Sequence, residues 1–306
     1  MLWQALTLGL GYNATLVTLG AAGLGFAAGV TGAFLVLRGR ALLGDAIGHA
    51  TLPGLAAAFL MMVALGLDGR ALPGLMLGAA VSAGLGAWAV DRLARRTRLP
   101  EDAAIGAVLS VFFGAGVVLL TVVQALPTGR AAGLESMLLG ATAGMLRDEA
   151  LTIAAGAGAV TLAAVALGRS MLWSAFDPAF ARAAGLPVAG IDRAATALAV
   201  AVTVIGLKIV GLVLIVALLI IPAAAARFWT DRGGRMAALA GAFGAAAGYV
   251  GAAISATAPA LPTGPIVVLV ATAGFAVSML AAPRRGVLAR ALRRGAGAGP
   301  APKAAP

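Results

Sequence analysis

Asp45 and His49 lie four residues apart in the stretch RALLGDAIGHATLPG, and His49 is the only histidine in the chain. On a helix that spacing sets both side chains on one face. A carboxylate beside an imidazole can relay a proton, or it can ligate a divalent cation of the zinc or manganese type. A third use is local, with Asp45 capping the helix that starts there and His49 bonded to a neighbour. Pro53 bears on the choice. It has no N–H to return to the carbonyl four residues back, so the main-chain oxygen of His49 is released toward a cation or water. Two or three such ligands do not close a tetrahedral zinc site. In a two-fold dimer the same pair from a second copy would meet them across the axis. A weak, open site suits conduction, because an ion must leave as well as enter. The chain has no cysteine, which excludes a disulfide framework, a thiolate metal site and a nucleophilic thiol.

The elements that hold this pair must cross a membrane. Of 306 residues 61% are hydrophobic and 11% charged, and the mean hydropathy is +1.03; a soluble domain carries about one-quarter charged residues. About 20 apolar residues cross a bilayer as a helix. Charge-poor runs of that kind lie at 14–37, 47–67, 71–90, 103–129, 150–168, 194–207 and 209–226, the sixth being short. The long run 236–283 is divided by Pro259, Pro262, Gly264 and Pro265. These runs predict an all-α, polytopic membrane protein of about eight or nine transmembrane helices. Its expected parts are a short extracytoplasmic N-terminal segment (1–13), a transmembrane domain (14–283) and a basic, disordered cytoplasmic tail (284–306). No basic residue precedes the first apolar run, so a cleaved signal is not expected. With the N-terminus outside, 18 of the 22 basic residues fall in cytoplasmic connections or in the tail, as the positive-inside rule requires. The net charge of +11 is thereby topological. It is scattered in short clusters rather than on one wetted face, which argues against nucleic acid as a partner. The expected location is the cell membrane, with lipid around the helices and the C-terminus in the cytoplasm.

Other residues invite weaker readings. Asp177 and Pro178 make a good helix start, as cap and first turn, and Gly185 and Pro187 stop that helix after about two turns. Such a helix, within the connection 171–193, is either a docking element or an ordinary surface helix. Pro222 frees the carbonyl of Leu218 and permits a bend, or is an inert kink. Lys208, near a span end, is expected to snorkel to the outer interface. Arg130 and Arg147 flank the segment 133–146, which contains Glu135 and is too short to span; it is expected to form a surface or re-entrant helix. Met61 and Met62 are adjacent and so point in different directions, as packing or lipid-facing residues do. There is no GxxxxGK[ST] phosphate loop, so the chain is not expected to be an enzyme and its energy must come from elsewhere.

LVLRGRALLGDAIGHATLPG (35–54), FDPAFARAAGLPV (176–188), KIVGLVLIVALLIIPAAAAR (208–227) and LPTGPIVVL (261–269) together resemble the signature stretches of the zinc/manganese/iron-chelate family of ABC importer permeases, in the family's order and spacing. The resemblance runs from about residue 12 to 282. It implies a homodimeric helical pore similar in fold to the vitamin B12 and siderophore importers, with two cytoplasmic ATP-binding subunits and an extracytoplasmic metal-binding protein as partners. It implies no resident cofactor, the metal being the transported cargo. Asp45 and His49 match the family's acidic residue and histidine in the second helix. The stretch containing Asp177, Pro178, Phe180, Ala181, Arg182 and Gly185 matches its coupling helix, which seats in the ATPase, and Pro53 and Pro222 would supply bends for gating. Many relatives carry further histidines toward the C-terminal spans. Residues 246–258 here read AAGYVGAAISATA, where any metal contact would have to come from weaker groups such as Ser255 or Thr257. A proton-coupled secondary metal transporter using Asp45 and His49, and an iron-chelate permease, are the alternatives; the first predicts internal repeats with paired broken helices, the second a wide pore without a close charged pair.

Overall fold

The computed structural model describes residues 11–126, 147–209, 211–257, 262–283 and 285–289. Its main elements are ten helices: α1 (Tyr12–Leu37), α2 (Leu43–Ala64), α3 (Leu72–Arg96), α4 (Glu101–Ala125), α5 (Arg147–Phe176), α6 (Pro178–Ala183), α7 (Val188–Ile209), α8 (Leu212–Trp229), α9 (Gly233–Ser255) and α10 (Thr263–Ala281). Eight of them are long and apolar enough to cross a membrane, and α8 is a shorter apolar helix. The segment 133–146, with Glu135, and Arg130 lie outside the described residues, as do residues 1–10 and nearly all of the tail.

Helix ends follow their chemistry. Pro73 sits in the first turn of α3 and Arg95 and Arg96 in its last, while Glu101 and Asp102 open α4; each charge opposes the partial charge of its helix end. Pro262 precedes α10, and Gly264 and Pro265 fall in its first turn, so the long run is divided into α9 and α10 as expected; Pro259 lies outside the described residues. Three boundaries differ from expectation by six residues or more, the first being the third span, which runs to Arg96 rather than ending at Val90. The fifth span runs on to Phe176 rather than ending at Gly168, and the sixth starts at Val188 rather than Ala194. Counting uncharged residues measures hydrocarbon thickness, whereas helical hydrogen bonding continues into the polar interface. The expected connection 171–193 therefore shrinks to the short region around α6.

The helices pack as two groups. The larger core centres on α1, which lies against α9, α5, α8 and α7, with Leu24, Ile153, Val202, Leu218 and Ala240 among its buried residues. The smaller holds α2 against α3 and α4, through Ile47, Phe59, Ala79, Val90 and Val108. α7 contributes to both. The α1–α9 contact is backbone against backbone: a Cβ on Gly29 would lie 2.1 Å from the carbonyl oxygen of Ala240, and one on Gly244 2.1 Å from that of Gly25. Only hydrogen fits there, and the close approach gives van der Waals contact that lipid cannot replace.

Candidate functional site

α2 carries the Asp45 and His49 pair in its first two turns. One stripe of this helix is left open, through Asp45, His49, Pro53, Ala57 and Met61 at four-residue intervals, while the positions between them are largely buried against α3, α4 and α8. The Asp45 side chain is 39% exposed and that of His49 24%. His49 Nε2 lies 3.4 Å from Asp45 Oδ1, which is long for a hydrogen bond. On the other side of the ring, His49 Nδ1 is buried and has no hydrogen-bond partner among the described residues. Phe113 of α4 meets the imidazole edge to face, with ring centroids 5.0 Å apart. The imidazole is thus held by an aromatic wall, and its Nε2 and the Asp45 carboxylate share the open side. Among the described residues no third Asp, Glu, His or Cys joins them, so the described part of one chain offers two ligands.

Pro53 lies within α2 one turn beyond His49. Its ring is accommodated by Gly116 of α4, where a Cβ would come within 2.6 Å of the Leu52 Cβ and 3.2 Å of the Pro53 Cδ. Pro222 is buried inside α8. Ser255 and Thr257 are placed differently from a bare lining: the Ser255 hydroxyl is buried and bonded to Thr263 at 2.8 Å, tying the end of α9 to the start of α10, and Thr257 Oγ1 donates to the carbonyl of Ile254. Lys208 falls in the last turn of α7, and its side chain lies outside what is described. Met61 is 64% exposed and Met62 half-buried, so the two do point in different directions.

At one end of the bundle, α6 is built as its sequence predicts. Asp177 Oδ1 accepts from the N–H groups of Ala179 and Phe180 at 3.1 and 2.9 Å, Pro178 occupies the first turn, and Gly185 takes φ +80° to end it. Ala181 is buried; Phe180 is 58% exposed and Arg182 points outward. An exposed aromatic beside a cation on a helix outside the bundle core is a surface with something left to bury.

One polar feature escaped the sequence reading. Arg38 Nη2 donates to Asp192 Oδ2 at 2.6 Å and its Nη1 donates to the Ser174 carbonyl; Arg40 Nε lies 2.7 Å from Glu101 Oε1. In the sequence both arginines contribute only to orientation, and the available signal is their position at a helix end, flanking Gly39.

The sequence profile of the ABC 3 transport family matches residues 12–282. The chain belongs to the ABC 3 transport family. Among its relatives, the manganese transport system membrane protein MntC of Bacillus subtilis is 39% identical over 88% of this chain and 61% of its own length. The zinc transport system membrane protein TroC of Treponema pallidum is 39% identical over 92% of this chain and 93% of its own. The chain therefore spans less than two thirds of the first relative and nearly all of the second. Among solved structures, PsaBC from Streptococcus pneumoniae in complex with Fab superposes with a TM-score of 0.79 at 29% identity, covering 96% of this chain and 100% of that one. This ABC 3 family member is a multi-pass membrane permease, with the helical architecture expected from its apolar runs.

Proposed function

We propose that this permease is the pore-forming subunit of an ATP-driven importer for a divalent transition metal, zinc or manganese, with iron as a further cargo. The carrying observation is the Asp45 and His49 pair on the open stripe of α2. Two ligands of one tetrahedral ion at 2.0–2.1 Å stand about 3.3–3.4 Å apart, and the pair is separated by 3.4 Å. A carboxylate and an imidazole suit zinc, manganese and ferrous iron alike, and the names of the relatives divide between manganese and zinc.

An ionisable pair on an outward stripe is a poor neighbour for hydrocarbon; an acid costs about 2.5–3.5 kcal/mol at a helix centre on insertion scales, and less toward the helix end where Asp45 stands. A second copy packed on this face would cover it, double the ligands and leave a path between the two α2 helices. In this reading the pore is a homodimer and the His49 carbonyl that Pro53 releases lies beside the path. ATP-binding subunits dock on α6 through Phe180 and Arg182, and their closure switches the pore between outward- and inward-open forms. An extracytoplasmic binding protein delivers the metal at the other end. The N-terminus is outside and the C-terminus cytoplasmic, which places α6 in the cytoplasm.

The test is metal uptake by the reconstituted importer carrying Asp45→Ala or His49→Ala, with zinc, manganese and iron measured separately. Uptake of the true cargo falls by about 10–100-fold or more, the range by which even outer-shell changes weaken metal sites. Uptake unchanged in both variants removes the ligand assignment.

A further inference from the structure

The Arg38 guanidinium joins three helix ends. Arg38 caps the end of α1. Its two terminal nitrogens reach the Ser174 carbonyl in the last turn of α5 and the Asp192 carboxylate in the first turns of α7. Those are the two helices that enter and leave α6, so one side chain closes the base of the α6 hairpin and fastens it to α1. The clasp is well shielded: Arg38 and Asp192 side chains are 22% and 12% exposed, and Ser174 is buried. Shielding strengthens the pair and makes loss of one partner costly.

The neighbourhood favours transmission over simple bracing. α6 itself packs mainly on α5 and α7. On its flank is a cavity of about 610 Å³ bordered by Arg38, Arg40, Arg95, Glu101, Pro178 and Arg182, so α6 has room to move against the α3–α4 corner. Two residues beyond Arg38, Arg40 holds Glu101 at the start of α4, the helix whose Phe113 walls His49. Between the two arginines Gly39 adopts φ +75°, a conformation that L side chains rarely take. It turns the chain so that Arg38 ends α1 and Arg40 leads into α2.

We propose that Arg38 is a positioning residue for energy coupling: through Asp192 and Ser174 it carries displacement of α6 to α1 and, by way of Gly39 and Arg40, to the α2–α4 face bearing Asp45 and His49. This rests on the reading of α6 as the ATPase-docking helix. Arg38 touches neither cargo nor nucleotide, and its contribution is to the ratio of transport to hydrolysis.

The test uses the whole importer, this chain with its ATPase subunits and binding protein, in lipid vesicles with manganese and zinc as transported probes. The readout is metal taken up per ATP hydrolysed, beside the rate of hydrolysis without metal. Arg38→Gln and Asp192→Asn lower the ratio about tenfold, within the span by which residues along a coupling network act, while metal-free hydrolysis stays near the parental rate. The charge-exchanged double variant, Arg38→Asp with Asp192→Arg, recovers much of the ratio. Arg285→Gln, which breaks the exposed pair with Asp231 elsewhere at this end, leaves the ratio unchanged. Should the single variants not assemble, Arg38→Lys decides: it keeps the charge and loses the two-pronged grip, so its ratio falls, and a parental ratio overturns the proposal. Parental ratios in Arg38→Gln and Asp192→Asn overturn the clasp alone. A parent complex that takes up no metal with ATP overturns the importer reading and the clasp together.

Discussion

α1 and α4 are helices of 26 and 25 residues, both strongly apolar, yet 72% of the apolar window of α1 is buried inside the protein and only 22% of that of α4. Hydropathy says that each crosses the membrane and is silent about what each faces. The arrangement of small residues separates them. Gly25, Gly29 and Gly32 fall on one side of α1 and press on the backbone of α9 and α8, whereas a Cβ on Gly106 or Gly114 of α4 would meet nothing within 4 Å. One helix is the spine of the larger core. The other presents Val111, Val118 and Phe113 outward beside the only histidine. The fold thus divides into a fixed body and a face built to meet lipid or another protein.

The sharpest way to break that contrast is Gly29→Val against Gly114→Val. The first places carbon where Ala240 backbone already stands, which exceeds the roughly 1–3 kcal/mol of ordinary overpacking and removes nearly all monodisperse protein after detergent extraction. Gly114→Val keeps parental yield; equal losses in both would refute the division. Asp177→Ala removes a doubly accepting cap worth about 0.5–2 kcal/mol from a helix outside both cores. Retention of the ATPase subunits during co-purification drops several-fold while the melting temperature of the bundle holds, and a lowered melting temperature with full retention would reverse the assignment. Phe113→Ala deletes the edge-to-face contact with His49, about 0.5–1.5 kcal/mol. Metal uptake weakens by several-fold at little cost to detergent stability; intact uptake would mean the outward face of α4 plays no part in holding the site. The smallest effect belongs to Ser255→Ala, where loss of the bond to Thr263 costs about 0.6 kcal/mol, the average for polar pairs within membranes, seen as a slight fall in thermal stability without change in uptake.

How legible all this was depends on distance along the chain. The crossings could be read because each is a local run of apolar residues, and the cap at Asp177 and the stop at Gly185 because they act within a turn or two. Asp45 and His49 were legible as a pair for the same reason, since four residues make a face. Phe113 against His49, Gly116 against Pro53 and Arg38 against Asp192 were not, because each joins residues more than sixty positions apart. The end of α5 and the start of α7 were misplaced because Arg169 and the Asp192–Arg193 pair interrupt the uncharged runs; the charge of Asp192 is met by an arginine 154 positions away, which no local run reveals. The glycines of α1 were visible, but their partners in α9 were hidden until the fold was known.

That separation has a consequence for how the molecule is made. α9 begins about 200 residues after α1 ends, and a ribosome adding roughly 5–20 residues per second needs about 10–40 s to produce it. Through nearly all of that interval the glycine side of α1 has no mate, and α9 completes the seam that α1 starts. A nascent chain stalled before residue 233 would therefore hold most of its crossings yet lack its central seam, leaving it exposed to membrane proteases that a finished chain resists.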